Sequence, residues 1–523
     1  MLIKYVSTYP SDTQGLTLLL DILESGGATW GPAFVPSPAH LTFAATVLIH
    51  PTTTTRASTT EEKEAPSAAL RLLRLVNTHV GPSAARVDVA FSFDEPETWR
   101  EAEDDDDERE TSNGQRRDDT TKMINLPMAN SHSLWSRAVD FWHAVGWAFN
   151  CSVLHPDRWE RWRQWLEFMC EVMERDWNDR LESPGAAREE EEEEEEGRKA
   201  LLMESLIFKY LTSSIGYGGK RRMLRAVFAD GSAASLTEFR EVFKHELRKP
   251  ASEESSKKRA RHVNLDEDEY GDYVTNDRDE YGSEDSAENP IMEEDAGPRR
   301  RSKRSRRITR KFGNSDADVG EGKMTLDMAD LEGGVQLLGG FSSLALRQRL
   351  LSLLSNVASR LPNESLHAHD LYRLVVESVR HLPMPIFQAF VSPSELPYFS
   401  VAARTTLCEF LLLNMIEDAA PDMDEDQPSQ EKLLSCFLPF AASKAGVADN
   451  AKVSIALESL LILLLESHTF TPTPTLKQAV DKGIVTRVEK AQADNKKNRR
   501  VEDVDVVWIS DSADRLAFMV NDL

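Results

Sequence analysis

Residues 131–181 read SHSLWSRAVDFWHAVGWAFNCSVLHPDRWERWRQWLEFMCEVMERDWNDRL, and this stretch decides the fold. Its apolar side chains recur at the spacing of α-helices. Ser131 or Ser133 can cap a first helix, since serine hydroxyls accept from free backbone N–H groups at a helix start. Pro156 suits the first turn of a second helix, where no backbone N–H is needed. We therefore predict a helical hairpin over residues 131–181.

Seven of the ten tryptophans fall inside this hairpin. They are Trp135, Trp142, Trp147, Trp159, Trp162, Trp165 and Trp177. One interpretation is an aromatic groove or cage for a peptide or a methylated lysine. The other is a hydrophobic core in which large rings lock two helices together. Trp135 and Trp142 are seven residues apart and predict one helical stripe, which favours the core.

The rest of the apolar sequence is also patterned as helices. We predict helices at 13–25, 65–80, 201–213, 220–228, 236–248, 344–360, 365–381, 401–416, 430–442 and 452–467. Residues 41–50 fit either a strand or a buried helix. Residues 86–93 alternate apolar and polar side chains and predict a strand. The fold class is therefore mainly α, an irregular helical bundle or α-solenoid-like (armadillo- or HEAT-like) modules with long disordered charged segments and minor β near the N-terminus.

Charge is distributed unevenly along the 523 residues and sets the predicted domain boundaries. Runs of like charge repel themselves and are typical of disordered linkers. We predict an N-terminal α(+β) part at 1–97, a disordered acidic linker at 98–130, a Trp-rich helical module at 131–249, a disordered charged linker with a basic block at 250–325, a C-terminal helical module at 326–470 and an extension at 471–523. Whether the two helical modules pack together stays open, because closing a long loop costs little more than closing a short one.

The long charged linker carries a dense basic block. Nine of the fourteen residues at 298–311 are Lys or Arg, and a shorter basic run lies upstream. Such runs are typical of nuclear localisation signals that bind an import receptor. The predicted signal comprises Lys257, Lys258, Arg259, Arg261, Arg299, Arg300, Arg301, Lys303, Arg304, Arg306 and Arg307. The predicted location is therefore the nucleus.

Acidic runs flank this block and include eight consecutive glutamates at 189–196. The net charge of −26 argues against a surface that wraps nucleic acid, because most of it would repel phosphates. Acidic tracts can bind histones electrostatically, although they are more often merely solvated. Contact with nucleic acid or histones through 257–311 is therefore kept as an alternative.

A further short pattern lies near the C-terminus. Val506, Val507, Trp508 and Ile509 form a β-prone run followed by Ser510 and acidic Asp511. The run resembles a SUMO-interacting motif, in which an extended segment adds a strand to the edge of the modifier's sheet. A buried strand or helix is the competing interpretation.

Enzyme and membrane patterns fail on inspection. The glycine-rich run at 216–220 is followed by Arg221 in place of Ser or Thr, and Lys249 stands where a zinc protease needs its second histidine after His245. The four cysteines form no C-x-x-C pair, so neither a cysteine zinc site nor a disulfide framework is expected. The most apolar run, at 460–465, is far too short to span a membrane.

These patterns predict a nuclear protein that has no catalytic residue, cofactor or metal and makes no membrane contact. We expect a scaffold or adaptor, a subunit of a larger protein complex that binds other proteins through helical surfaces. The alternative is a chromatin-associated factor that contacts nucleic acid or histones through the charged linker.

Overall fold

The computed structural model describes residues 12–26, 34–93, 127–183, 191–213, 218–248, 334–364, 366–392, 400–417, 420, 429–467, 473–495 and 503–521. Within these ranges the chain is helical, and no β-strand is present among them. Residues 98–126 and 250–325 of the predicted charged linkers lie outside the described residues. The end of the first predicted linker, 127–130, is instead folded, since Pro127–Ala129 form a 3-10 turn in which Ala129 is buried. The mainly α prediction is confirmed.

The N-terminal half contributes eleven helices within the described ranges. They are α1 (Asp12–Gly26), α2 (Pro38–Ile49), α3 (Thr60–His79), α4 (Val87–Ala90), α5 (Leu134–Arg137), α6 (Phe141–Leu154), α7 (Pro156–Leu181), α8 (Glu191–Met203), α9 (Leu206–Ser213), α10 (Gly219–Val227) and α11 (Ala233–Glu238). Helix α3 begins with a complete capping box, in which the Thr59 hydroxyl accepts from the Glu62 N–H and the Glu62 carboxylate accepts from the Thr59 N–H.

The C-terminal half contributes eight more. They are α12 (Gly340–Arg360), α13 (Ala368–Val379), α14 (Met384–Val391), α15 (Val401–Met415), α16 (Gln430–Lys432), α17 (Val447–Glu466), α18 (Pro474–Asn495) and α19 (Asp503–Asn521). A π-helical turn, Leu433–Phe437, continues directly from α16. Helix α17 is buried along most of its length and packs against α15, α18 and α19, so it is the central helix of this half.

The predicted N-terminal β structure is wrong. Residues 86–93 contain a single helical turn, α4, which follows Arg86 in a left-handed conformation with φ 52°. A strand needs a neighbouring strand for its backbone hydrogen bonds, and the described part of the chain offers none. Val87 and Phe91 are buried, and the Phe91 ring stacks on Trp135 with 4.9 Å between centroids. Residues 41–50 form most of helix α2.

The 131–181 hairpin is present but begins later than its sequence predicts. Ala138 is extended, with ψ 144°, so the short helix α5 ends before α6 is capped by the Asp140 carboxylate. Trp135 and Trp142 therefore lie on different helices, and the predicted continuous stripe is wrong. Pro156 occupies the first turn of α7, as predicted.

The segments Met1–Lys249 and Met324–Leu523 fold into one compact unit. Helix α12 joins the two halves of this unit by contacting α6, α7, α9 and α10. On its surface Arg349 forms an ion pair with Glu174 of α7. The helical modules at 131–249 and 326–470 thus share one hydrophobic core.

A second, fully buried arginine of α12 fixes the same junction. Arg347 donates to the carbonyl oxygens of Val227, the last residue of α10, at 2.6 Å and of Ala229, just beyond it, at 2.8 Å. Its guanidinium lies 4.1 Å from the centre of the Phe149 ring. Burial lowers the pKa of Arg347 to about 9, so it remains charged at neutral pH and is stabilised by carbonyl dipoles and the ring face.

Candidate interaction surface

The tryptophan-rich hairpin forms core, not a groove. All seven of its tryptophans are buried, which confirms the core interpretation. The Phe141 ring stacks on Tyr210 with centroids 4.3 Å apart, and Trp162 meets Trp165 edge to face at 5.4 Å. Rings that are covered on both faces by other side chains leave no aromatic cage for a ligand.

A buried carboxylate organises this core. Glu246 accepts hydrogen bonds from Trp147 Nε1 at 3.0 Å, Trp162 Nε1 at 2.7 Å and Arg158 Nε at 2.7 Å. The backbone N–H of Phe243 donates to it as well, at 3.3 Å. We call Glu246, Arg158, Trp147 and Trp162 the Glu246 cluster.

The Glu246 cluster also fixes the end of α2. Arg158 donates to the Ile49 carbonyl at 2.6 Å and to the Thr54 hydroxyl at 2.8 Å. The carboxylate and the guanidinium thus use their hydrogen-bonding groups on the protein itself, which is what a buried ion pair requires. The cluster is architectural, and its Glu246 carboxylate is buried.

The cysteines, a residue type that acts as nucleophile or metal ligand in other proteins, are buried in this one. Burial raises the pKa of Cys151 and Cys170 and raises that of Cys408 to about 12, so these thiols are inert as nucleophiles at neutral pH. Within the described ranges, no three His, Cys, Asp or Glu side chains come together in a way that would hold a metal ion.

A shallow depression of about 460 Å³ opens where α12 ends and α13 begins. Its walls are Ala358, Ser359, Pro362, His367, Ala368, His369 and Asp370. The depression is wide and open, and it is shaped more like a contact surface than an enclosed ligand site.

The outward face of α15 adjoins this depression and carries no charge. Among its fifteen residues the charged ones are Arg404 and Glu409, and both are buried. Glu409 accepts from Lys432 Nζ at 2.6 Å, so its charge is neutralised on the inner side. The outward positions are instead Val401, Ala402, Thr405, Thr406, Phe410, Leu413 and Asn414. We call these seven residues the α15 face.

Two apolar members of the α15 face are strongly exposed. Val401 is 54% exposed and Leu413 is 49% exposed. Ala402, Thr406, Phe410 and Leu413 succeed one another at helical spacing, so they form one continuous stripe along the helix. The α15 face thus carries no charge in a chain of which 29% of the residues are charged.

The polar groups of the α15 face bond to the helix itself. Thr405 and Thr406 donate their hydroxyls to the Val401 and Ala402 carbonyls at 2.9 Å. Asn414 Nδ2 donates to the Phe410 carbonyl at 2.7 Å. Covering this face would therefore leave the two threonine hydroxyls and one Asn414 N–H with a partner, which lowers the cost of burying these polar groups.

One aromatic contact joins the α15 face to the depression. His369, on the rim of the depression, lies edge to face with Phe410 at 5.1 Å between ring centroids. Phe410 also stacks on Tyr372 at 5.8 Å, which fixes its orientation. The depression and the α15 face are thus parts of one surface.

The sequence-predicted binding residues fall elsewhere. The eleven basic residues of the nuclear localisation signal lie outside the described residues. Val506, Val507, Trp508 and Ile509 lie within helix α19, with Trp508 and Ile509 buried. Binding to a SUMO-like modifier by strand addition would require this segment to leave the helix and adopt an extended backbone.

Sequence reasoning missed the α15 face, although a signal for it exists. The run 401–415 reads VAARTTLCEFLLLNM and holds two charged residues, whereas most helices of this chain carry several. What the sequence does not reveal is that both charged residues are buried. The placement of Glu409 depends on Lys432, 23 positions further along the chain.

Comparison with known protein families finds no matching family, and no curated protein matches the chain. Among the described residues, no helix combines the length and the apolar character needed to cross a lipid bilayer.

Proposed function

We propose that this chain is a non-catalytic nuclear scaffold or adaptor, a subunit of a larger protein assembly that binds other proteins through its helical surfaces. The observation that carries the proposal is the α15 face, an uncharged exposed helix face on a strongly charged chain. Its two charged residues are buried, and its polar side chains bond to their own helix.

The Glu246 cluster and the depression beside the α15 face support the same function. The most elaborate polar arrangement in the described part, the Glu246 cluster, is buried and holds the fold together. The depression beside the α15 face is open and shallow. Surfaces of this type bind partners by covering area, with a few large side chains contributing most of the affinity.

Affinity purification from cells tests the proposal. A tagged wild-type chain is compared with Leu413→Glu, which places a charge on an exposed apolar position near the C-terminal end of the α15 face. The matched control is Val485→Glu on α18, since Val485 is similarly exposed at 54% and lies on another helix. We expect mass spectrometry to find at least one specific protein lost with Leu413→Glu and retained with Val485→Glu. Equal partner sets for all three chains would contradict the proposal.

The nuclear part of the proposal rests on the basic block. Nine Lys and Arg residues within 298–311 provide the charge density that an acidic import receptor binds. Replacing the basic residues at 299–307 by alanine is expected to move a fluorescently tagged chain to the cytoplasm. A variant that stays fully nuclear would contradict this part alone.

The same charge density favours a second candidate, a chromatin-associated factor that contacts nucleic acid or histones through 257–311. Binding through phosphate neutralisation weakens steeply with salt, whereas binding through the α15 face tolerates moderate salt. Partners that are released between about 50 and 200 mM salt, and that are insensitive to Leu413→Glu, would favour this second candidate.

A further inference from the structure

Four side chains that carry or can take up a positive charge come together at the C-terminal end of α2. We call them the His50 cluster: His50, Arg56, His132 and Arg137. His132 and Arg137 are exposed, whereas His50 and Arg56 are half-buried. The backbone N–H of Leu134 donates to the Thr46 hydroxyl at 3.1 Å, which ties the segment that carries His132 and Arg137 to the last turn of α2.

The loop after α2 holds His50 and Arg56 in fixed positions. The Thr54 hydroxyl donates to the His50 carbonyl at 2.7 Å, and the Arg56 N–H donates to the Pro51 carbonyl at 2.8 Å. Arg158 in turn donates to the Thr54 hydroxyl at 2.8 Å. The cluster therefore stands on a preorganised loop, and a ligand does not have to order the loop when it binds.

The charges that act on His50 are positive. Burial lowers the pKa of His50 to about 4, and the neighbouring charges lower it in the same direction. These neighbours are Arg56, Arg158, His132 and Arg137. Arg158 is paired with Glu246, but Arg56 and Arg137 form no ion pair with any described residue. Like charges without a counter-ion repel one another, and a bound anion would relieve that repulsion.

Several polar atoms of this loop have no hydrogen-bond partner within the described residues. Thr55 Oγ1 and Arg56 Nε are both buried and unpartnered. The Thr52 N–H donates to Nδ1 of His50 at 3.4 Å, so Nδ1 is an acceptor and Nε2 is the ring nitrogen that can donate. Buried donors are nearly always paired with protein, water or an ion, so unpartnered donors in a cationic cluster indicate a ligand site.

We infer that the His50 cluster binds a phosphate group, carried by a phosphorylated serine or threonine of a partner protein. Arginine suits phosphate because its planar guanidinium can donate two parallel hydrogen bonds to two oxygens. The cluster is open to solvent at His132 and Arg137, as clusters that recognise phosphorylated segments of other proteins are. The inference goes beyond the proposed function, which rests on the α15 face.

A phosphorylated protein segment fits the cluster better than nucleic acid does. Nucleic acid presents a row of phosphates and is bound along an extended basic groove. The positive charges of the cluster instead act on one side chain, His50, in a chain of net charge −26 that would repel neighbouring phosphates. A single phosphate group needs to meet only the cluster.

Immobilised peptides test the inference with the full chain. One library carries a central phosphoserine or phosphothreonine between random flanking residues, and a matched library carries serine or threonine. The chain in which the basic residues at 299–307 are replaced by alanine is used beside the wild type, because the basic block would itself attract phosphate. We expect both chains to be retained at least about tenfold more by the phosphorylated library.

Arg137→Gln and Arg56→Gln are each expected to lower this retention at least about fivefold, because each removes a charge-assisted hydrogen bond to the phosphate. The matched control is Arg373→Gln on α13, since Arg373 is exposed and forms no ion pair with any described residue. This control should leave retention unchanged. Thermal melts check that each variant is folded, and Arg137→Gln changes an exposed side chain, so it keeps the test valid if Arg56→Gln is unstable.

Two competitors distinguish the sources of the phosphate group. Millimolar inorganic phosphate is expected to release the chain from the phosphorylated library, whereas a short DNA duplex at the same phosphate concentration is not. Release by DNA that depends on Arg137 would make the cluster a nucleic-acid site and overturn the inference. A rise of the melting temperature with inorganic phosphate that needs Arg137, without retention by the peptides, would assign the cluster to free phosphate and overturn the partner protein as its source.

Equal retention by the two libraries, or retention that neither arginine variant lowers, would overturn the inference as a whole. Retention that is lost only when 299–307 is replaced would place the binding in the basic block and overturn it as well. None of these outcomes bears on the α15 face, which is tested separately through Leu413→Glu.

Discussion

Helices α7 and α15 both bury one face and expose the other, but they differ on the exposed side. The outward side of α7 is covered by ion pairs such as Arg163 with Glu160 and Glu167, and Arg74 of α3 with Glu171. The outward side of α15 has none. The tryptophan-rich helix therefore has a charged outer surface, whereas the outer surface of the leucine-rich helix is uncharged.

Their inward charges differ as well. Next to α7, the Glu246 carboxylate accepts four hydrogen bonds, from two tryptophans, an arginine and a backbone N–H. On α15, the Glu409 carboxylate is paired with Lys432. A buried carboxylate with several donors holds several structural elements together. Changing Glu246 should therefore destabilise the fold more than changing Glu409.

The largest effect is expected from Glu246→Gln. Removing the charge leaves the buried Arg158 guanidinium without its counter-ion, which costs about 3–5 kcal/mol of unfolding free energy. Glu409→Gln likewise leaves a buried cation, Lys432, without its counter-ion, and it is expected to cost less, about 3 kcal/mol, because fewer hydrogen bonds to the carboxylate are lost. Urea denaturation of both variants measures the difference.

Glu160→Gln is the matched surface control, since it removes an exposed carboxylate from the same helix that carries Arg158. Its effect should stay within about 0.5 kcal/mol. If Glu409→Gln lowers the unfolding free energy as much as Glu246→Gln or more, the Glu246 cluster is not the buried polar group that contributes most to stability.

Trp162→Phe and Trp165→Phe measure, within one helix, how much a hydrogen bond to Glu246 contributes to stability. Both tryptophans are fully buried on α7, and both changes remove the same volume. Trp162 Nε1 donates to Glu246, whereas Trp165 Nε1 has no hydrogen-bond partner. Trp162→Phe should therefore be less stable than Trp165→Phe by about 1–2 kcal/mol, measured by urea denaturation. Equal costs would mean that ring packing alone determines the stability of this core.

Much of the helix content follows from the sequence, and the reasons are local. Leucines at helical spacing, the Thr59 capping box and Pro156 at the start of α7 act over a few residues, and all three are readable in the chain. The error at 86–93 has the opposite origin. An alternating run can form a strand only beside another strand, and that depends on the rest of the fold.

The α15 face could be predicted only in part, for the same physical reason. The lack of charge on α15 is visible in the sequence. Its exposure is not, because the helix needs Lys432 to draw Glu409 inward and α17 to cover the opposite side. Tryptophans dominate the sequence signal, yet the sequence does not show that Glu246 satisfies two of their N–H groups from about 84 and 99 positions away.

Acidification should act mainly on the N-terminal half. Burial lowers the pKa of His50 to about 4, and nearby Arg56 and Arg158 act in the same direction. Between pH 6.5 and 4 the unfolded chain thus binds a proton at His50 that the folded chain does not, so stability falls as the pH falls through this window. Burial also lowers the pKa of His40 and His143.

The expected loss from His50 is about 1 kcal/mol between pH 7.5 and 5.5, measured from urea midpoints. His50→Gln should reduce this pH dependence, whereas His369→Gln, which changes an exposed histidine beside the α15 face, should leave it unchanged. A pH dependence that is unaltered by His50→Gln would show that this histidine is protonated alike in both states.

The smallest effect on stability is expected on the α15 face, and it separates binding from folding. Leu413 is about half exposed and Thr406 points outward, so Leu413→Glu and Thr406→Glu should each change the unfolding free energy by no more than about 0.5 kcal/mol. The same changes are expected to abolish the interactions of this face, because a glutamate there would be buried without a partner. A Leu413→Glu chain that loses its partners together with several kcal/mol of stability would show that the α15 face serves the fold, and the contrast with α7 would fail.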